Sequence, residues 1–401
     1  MIILKLAFRN LAGAGMRTIL NAVVLSLVLV VIVTAQALLR GMNEQTARAM
    51  IASEYGGGQV WHPGYDPYDP LTLDRAHGPV PAGVRDMISA GAATPILIVP
   101  GSIYPDGRLR SVLIKGIDPD QNIVDLPARF LKRDGDAIPA MIGTRMAENT
   151  GFSLGDRFVL QWRDRNGTFD AREALVVQVI RTSVQSVDKG QVWIPLERLR
   201  RMAMMPNEAT LVTLAPAAGP PPGTLSPAVA DAGDKDSWIY REQSYLLHDI
   251  RVLVRSKMIG SMFIYAILLF LALLAVFDTQ VFAIFKRQRE IGTLVALGMT
   301  RSDVLRLFTL EGGLAGLFAA ILGTAYGTPL LSWFARTGWR LPETTDSYGF
   351  AIGDVLYPVF SADVVLGTGI IVLLLTVFVS FIPARRIARI EPTQALRGKA
   401  F

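Results

Sequence analysis

The chain has 401 residues, 51% of them hydrophobic, and a formal net charge of +6; its mean hydropathy is positive. That balance excludes an ordinary soluble domain. The absence of cysteine excludes disulfides, thiolate metal sites and cysteine-linked lipidation of this chain.

In chain order, residues 1–17 carry Lys5, Arg9 and Arg17 and no acid, which reads as an amphipathic segment on the cytoplasmic side. No charge occurs from there to Arg40, so 18–39 is expected to be the first membrane span. It has the basic lead of a signal peptide and an Ala35-Gln36-Ala37 triplet. Its apolar run nevertheless exceeds the roughly 7–15 residues of a signal core, so a retained anchor is expected. Leu39, Met42, Thr46, Ala49 and Met50 keep helical spacing up to the Gly56-Gly57-Gly58 break, which predicts a stalk over 40–56.

Residues 57–244 are long enough for a core of their own. Strands are predicted at 59–61, 96–104, 109–115, 157–162, 174–180, 192–195 and 210–214, and short helices at 84–90, 145–150 and 196–202. Pro105-Asp106-Gly107 should turn the second strand into the third, proline presetting one dihedral and glycine taking the positive one. Asn166-Gly167 should do the same between the fourth and fifth. An inserted subdomain is expected at 118–208. The Pro-rich piece 216–227 cannot form a regular helix or central strand; it reads as an extended surface loop, with partner docking as the sharper alternative. His62 and His77, with Asp66, Asp69 and Asp74 between them, match no ligand spacing of a defined metal motif. Three histidines and no cysteine leave no visible nucleophile–base constellation.

Tyr245, Leu246, Ile250, Leu253 and Val254 make a second stalk, leading into a span that completes 245–285. Further uncharged runs lie between Lys257 and Asp278, Glu311 and Arg336, and Asp363 and Arg385. Each suffices for a helix across a hydrocarbon core of about 30 Å, where only helices or closed barrels satisfy the backbone. Spans are therefore expected at 303–335 and 364–384, with a short extracytoplasmic loop at 336–363 and a tail at 385–401. Residues 286–306 carry five bases against Glu290 and Asp303, and the tail five against Glu391. The loop 336–363 carries two against four acids. This asymmetry predicts that both termini and the 286–302 elbow face the cytoplasm. Residues 40–255 hold 24 bases and 25 acids, so the net charge belongs to the inner segments. It implies contact with membrane lipids and no nucleic-acid partner. The expected fold class is integral membrane α-helical, four transmembrane helices with a large extracytoplasmic α+β domain between helices 1 and 2.

Within the elbow, Ile291, Leu294 and Val295 make an amphipathic face, Gly298 suits a left-handed helix end, and Thr300 with Asp303 has the form of a capping box. An apolar stripe with a charged rim suits docking in a groove of another protein. In the third span Gly312, Gly316, Ala320, Gly323 and Gly327 form a small-residue face for helix packing, expected against the second or fourth span. Asn21, Ser26 and Thr34 interrupt an apolar first span, as cavity lining or as packing contacts. Asp278 and Glu311 read as boundary acids neutralised by nearby arginines, with a proton-relay role as the alternative and the role of Asp278 left open.

Residues 285–311 resemble the signature of FtsX-like ABC transporter permeases through Arg287, Glu290, Ile291, Leu294, Ala296, Leu297, Gly298 and Glu311. The tail is similar to that family's terminal motif at Pro383–Arg386, Ala388, Pro392 and 395–397. The segments 59–67 and 112–120 resemble the lipoprotein-releasing (LolC/LolE) permeases; 141–158 and 192–199 resemble these and the MacB-like permeases, MacB-like core included. The resemblance implies a permease subunit, not itself an enzyme, in the bacterial inner membrane. It implies a cytoplasmic ABC ATPase dimer holding ATP and Mg, a second permease copy or paralogue, and a periplasmic carrier or adaptor. The coupling helix would dock that ATPase through Arg287, Arg289, Glu290, Ile291, Leu294, Val295, Leu297 and Gly298. Its expected work is mechanotransmission that removes a lipoprotein or other amphiphile from the outer leaflet. The alternatives are MacB-like drug or peptide efflux and FtsX-like signalling to a cell-wall hydrolase. No G-x-x-x-x-G-K-[ST] phosphate loop occurs in the sequence, so ATP binding falls to the partner.

Overall fold

The computed structural model describes residues 2–387 apart from 14, 134, 183, 217, 221–236 and 341–354. Most of the Pro-rich loop and the terminal motif beyond Ile387 lie outside the described residues. The chain divides into two compact units, one built from residues 43–252 and the other from residues 2–42, 253–340 and 355–387.

The spanning unit begins with α1 (Ile2–Gly13) and α2 (Met16–Met50). Later helices are α8 (His248–Lys286), α9 (Gln288–Ala296), α10 (Arg301–Thr337) and α11 (Ala362–Ile387). The segments Ile19–Tyr55, His248–Ala283, Arg301–Thr337 and Ala362–Arg385 are long and apolar enough to cross a membrane. Their shared core is Ala22, Leu25, Leu29, Val30, Val33, Ala272, Ala319 and Val372. The small-residue face of α10 is divided between two neighbours. A Cβ on Gly312 would fall 1.9 Å from the Ser380 hydroxyl oxygen, and one on Gly316 3.2 Å from the Thr376 Cβ. Gly323 instead approaches Ser26 and Leu29, and Gly327 lies 2.9 Å in the same sense from Val30. The fourth span was expected as a partner; the first span, which takes Gly323 and Gly327, was not. Backbones approach this closely only where side chains are small.

The other unit is a nine-stranded sheet with short helices on it. In chain order come a π-helical turn (Ile51–Tyr55) closing α2, β1 (Gly58–Trp61), β2 (Gly78–Pro79), α3 (Ala82–Ser89), β3 (Ala93–Ile103) and β4 (Arg110–Ile117). Then follow β5 (Ile138–Gly143), α4 (Thr144–Thr150), β6 (Arg157–Arg163), β7 (Phe169–Ile180), α5 (Gln185–Gly190), β8 (Gln191–Pro195) and α6 (Leu196–Met202). β9 (Glu208–Ala209), β10 (Leu211–Leu214), β11 (Ile239–Glu242) and α7 (Gln243–Leu246) complete it. The short strands β12 (Trp339–Arg340) and β13 (Val355–Leu356) belong to the spanning unit.

The sheet order is β11-β1-β10-β3-β4-β8-β5-β7-β6, and β6 pairs back onto β3 through Gly101, Ser102 and Ile103. Six strands thus form a ring around Leu97, Val99, Ile114, Ile142, Leu160, Trp162 and Ile194. Alternation sends Ile96 and Ile98 to the opposite face, into a second core with Trp61, Ile117, Val187 and Trp193, which is why β3 is buried on both sides over most of its length. Residues 118–208, expected as an inserted subdomain, share this sheet with β1, β3 and β4 and do not stand apart. The turn after β3 differs in detail from expectation: Asp106 as well as Gly107 takes a positive φ, 51° and 74°. At the end of α2, Glu54 Oε1 meets Lys115 Nζ at 2.7 Å, and the ammonium lies 5.1 Å from the Trp193 ring centroid.

Candidate functional site

The elbow between α8 and α10 is specified residue by residue. Gly298 stands at φ 103°, a conformation that costs a residue with a Cβ. Helix α9 therefore ends there, its last turn closed by the Gly298 amide donating to the Val295 carbonyl at 3.1 Å. Thr300 caps α10 with its Oγ1 accepting from the Asp303 amide at 3.2 Å, while Asp303 Oδ2 accepts from the Thr300 amide at 3.3 Å. The reciprocal pair satisfies two helix-terminal donors at once.

Turning back at this point brings Arg287 onto Glu311. Arg287 Nη1 donates to both carboxylate oxygens of Glu311 at 3.2 Å, and its Nε to Glu290 Oε2 at 2.9 Å. Asn10 of α1 adds Nδ2 to Glu311 Oε1 at 2.6 Å. Glu311 is buried, and the guanidinium also lies 5.5 Å from the Phe308 ring centroid. A charge left alone in such a place is costly, so each member of the cluster holds the others in position. Of the four, Arg287, Glu290 and Glu311 are legible in the sequence; Asn10, about three hundred positions away, is not.

The apolar face points the other way from expectation. Ile291 is only 7% exposed, packed with Val304, Phe308 and Ala384, and Val295 and Met299 join that cluster. Ile291 and Val295 thus fasten the elbow to α10 and α11. Leu297 is the residue left outside, 79% exposed. The side chains of Arg289 and Leu294 lie outside the described set. Ala384 belongs to the terminal motif, so the two motifs noticed separately in the sequence meet at one contact.

Other candidates resolve as packing. Ser26 is fully buried, its Oγ donating to the Val23 carbonyl at 2.8 Å and accepting from Tyr326 at 3.3 Å. Asn21 donates to Thr279 of α8, and Thr34 to the Val30 carbonyl at 2.7 Å. These contacts tie α2 to itself and its neighbours. Ala320 lines an open hollow on α10, and Asp278 is exposed on α8 between Leu274 and Phe282. His77 serves the sheet-bearing unit: its Nδ1 lies 2.5 Å from Glu208 Oε2, and Glu208 Oε1 pairs with Arg165 at 2.8 Å. Asp66 and Asp69 accept backbone amides of Tyr68 and Leu71, and Asp74 pairs with Arg163 at 3.3 Å.

Residues 262–392, from the second span through the elbow to the terminal motif, match the family described as FtsX-like permease C-terminal. The chain carries an FtsX-like ABC permease domain. Its relatives include the lipoprotein-releasing system transmembrane protein LolC of Neisseria meningitidis serogroup B, 21% identical over 76% of this chain and 78% of that protein. The macrolide export ATP-binding/permease protein MacB of Pectobacterium atrosepticum is 29% identical over 31% of this chain and 17% of its own length. The pyoverdine export ATP-binding/permease protein PvdT of Pseudomonas syringae pv. syringae is 32% identical over 36% and 19%. The chain thus spans less than a fifth of these two longer relatives. A likeness to the extracellular domain of the ABC-type transporter YknZ, with a TM-score of 0.26 at 13% identity over 48% of this chain and 94% of that one, is too loose to carry an argument.

Proposed function

We propose that this FtsX-like permease converts ATP-driven closure of a separate cytoplasmic ATPase dimer, which binds the ATP and Mg, into movement of its outer unit. The moved cargo is a lipoprotein or comparable amphiphile in the outer leaflet of the inner membrane. The observation that carries the mechanical part is the way the elbow is anchored. A push on an elbow held only by a loop would dissipate. Here Arg287–Glu311 and the Ile291–Phe308–Ala384 contact join it to two spans, so displacement of α9 loads α10 and α11 directly. The exposed Leu297, with Gly298 and the cationic Lys286 and Arg301 around it, forms the tip that the ATPase would engage. A second permease, identical or paralogous, would cover exposed apolar residues of the first two spans, Val23 and Leu27 on α2 and Phe263, Ile267 and Phe270 on α8. A periplasmic carrier or adaptor would receive the cargo. The lipoprotein reading is supported by the length of the LolC alignment, which covers 76% of this chain against 31% and 36% for the two exporters described.

The test is reconstitution of the purified complex in liposomes with ATP. Transfer of a lipoprotein to a soluble carrier is the expected result. Drug- or peptide-stimulated ATPase without lipoprotein release would replace this reading with efflux. Activation of a cell-wall hydrolase without any transfer would replace it with signalling.

A further inference from the structure

Within the spanning unit, α2, α10 and α11 line a half-open groove of about 310 Å³, within the range of roughly 300–1,000 Å³ usual for ligand pockets. Leu29, Val30 and Val33 of α2 and Val365 of α11 make its aliphatic walls, and Phe360 also lines it. Phe360 sits on a strap held firmly across α2: the Val359 amide donates to the Ala37 carbonyl at 3.0 Å, and Arg40 pairs with Asp363 at 3.1 Å and bonds Ser361. Lining residues on α10 run from Gly323 to Ala335, about 18 Å of helix at 1.5 Å per residue. One leaflet of a hydrocarbon core of about 30 Å is close to that depth.

The groove is not purely apolar. Thr324, Thr328 and Ser332 place three hydroxyls at one-turn intervals along the α10 wall. Thr324 and Ser332 donate to the backbone carbonyls of Ala320 and Pro329, at 2.8 and 2.9 Å, whereas Thr328 makes no hydrogen bond to the described residues. Pro329 lies inside the helix and supplies no amide to the carbonyl four residues back, at Ala325. A donor and an acceptor thus stand within one turn of each other in a region where water is scarce and unpaired polar groups are expensive.

We propose that this groove binds one fatty-acyl chain, its ester or amide group paired with Thr328 and its tail lying along Leu29, Val33 and Val365. The inference rests on these helices lying in a bilayer, not on the identity of the cargo. The chain could belong to a membrane phospholipid or to a lipidated cargo; the ligand chemistry is the same.

The full-length protein is placed in nanodiscs of phosphatidylethanolamine and phosphatidylglycerol containing a phospholipid with a diazirine on one acyl chain. Labelled peptides are read by mass spectrometry after illumination. Enriched labelling of peptides containing residues 29–33 and 323–335 is expected, relative to the exposed α11 face around Ile370, Leu374 and Phe378. Ala335→Phe, which fills the groove, should lower that labelling about tenfold, and the isosteric Thr328→Val about threefold, with labelling of the α11 face unchanged in both. Excess unlabelled phospholipid as the better competitor identifies a bound lipid; a diacylated lipopeptide as the better competitor identifies cargo. Groove labelling no stronger than that of the α11 face, or indifferent to Ala335→Phe, overturns the site. Absence of label on the α11 face as well overturns the bilayer placement, and the acyl site with it.

Discussion

At the scale of single residues, the Arg287–Glu311 pair shows how a charge at a membrane boundary can act as a fastener. Glu311 is only 7% exposed, so removal of its cation leaves a largely buried carboxylate with Asn10 alone. Arg287→Ala is expected to destabilise the spanning unit by about 2–4 kcal/mol. Arg287→Lys should recover little, because an ammonium cannot reproduce a guanidinium that serves Glu290 and Glu311 together. The double variant Arg287→Ala/Glu311→Ala should fall short of the summed single effects by about 1–3 kcal/mol, measured as thermal unfolding in detergent. Additive losses would mean that the pair is not coupled. In the sheet-bearing unit, burial pushes the Asp188 carboxyl above its ordinary range, more strongly than the hydrogen bonds and charge at Arg145 draw it down. Its neutral form is therefore favoured on folding. That contribution is fully present below the unfolded-state value and is lost as pH rises through the raised folded-state value. Asp188→Asn should remove this acid-side advantage, flattening the pH dependence of the melt followed through the nearby tryptophans; an unchanged profile contradicts the assignment.

At the scale of elements, the elbow separates two roles that one stripe had been given. Spacing of Ile291, Leu294 and Val295 implies a covered face, but periodicity does not say what covers it; the cover for Ile291 is Phe308 and Ala384 of the same chain. Leu297→Glu should thus abolish capture of the ATPase while leaving the permease's unfolding temperature unchanged. Ile291→Ala should instead lower stability by about 2–4 kcal/mol, with the ATPase still captured at low temperature. The reverse pattern in co-purification and melting would restore the stripe as the docking face. Helix α10 makes a second prediction. A methyl at Gly312 would meet both Ser380 Oγ at 1.9 Å and its Cβ at 2.3 Å, so Gly312→Ala should cost about 1–3 kcal/mol, partly recovered by Ser380→Gly. Strands with one or two polar neighbours were legible, β6 and β8 among them. β5 was not, because all six of its residues are buried and IPAMIG shows no alternation to read. Closure of the ring from β6 to β3 depends on partners about sixty residues apart, information that local pattern does not contain.

At the scale of the whole molecule, the distribution of charge makes a claim about orientation that can be tested apart from transport. Lysine and arginine crowd the N-terminal segment, the elbow and the tail, while residues 40–255 are nearly balanced. Retention of basic segments on the cytoplasmic side then dictates which way four helices thread. Because the chain has no cysteine, single cysteines can be introduced without a background. Asp66→Cys and Asp118→Cys in the outer unit should react with a membrane-impermeant maleimide in intact spheroplasts. Ser302→Cys beside the elbow should react only after the membrane is opened. Labelling of all three before permeabilisation, or of Ser302→Cys alone, would reverse or abolish the assigned threading. The elbow could then receive no push from a cytoplasmic ATPase, however well Arg287 and Ile291 anchor it. A correct threading with a silent Leu297→Glu variant would instead leave the spans in place and move the site of ATPase engagement elsewhere on the same face.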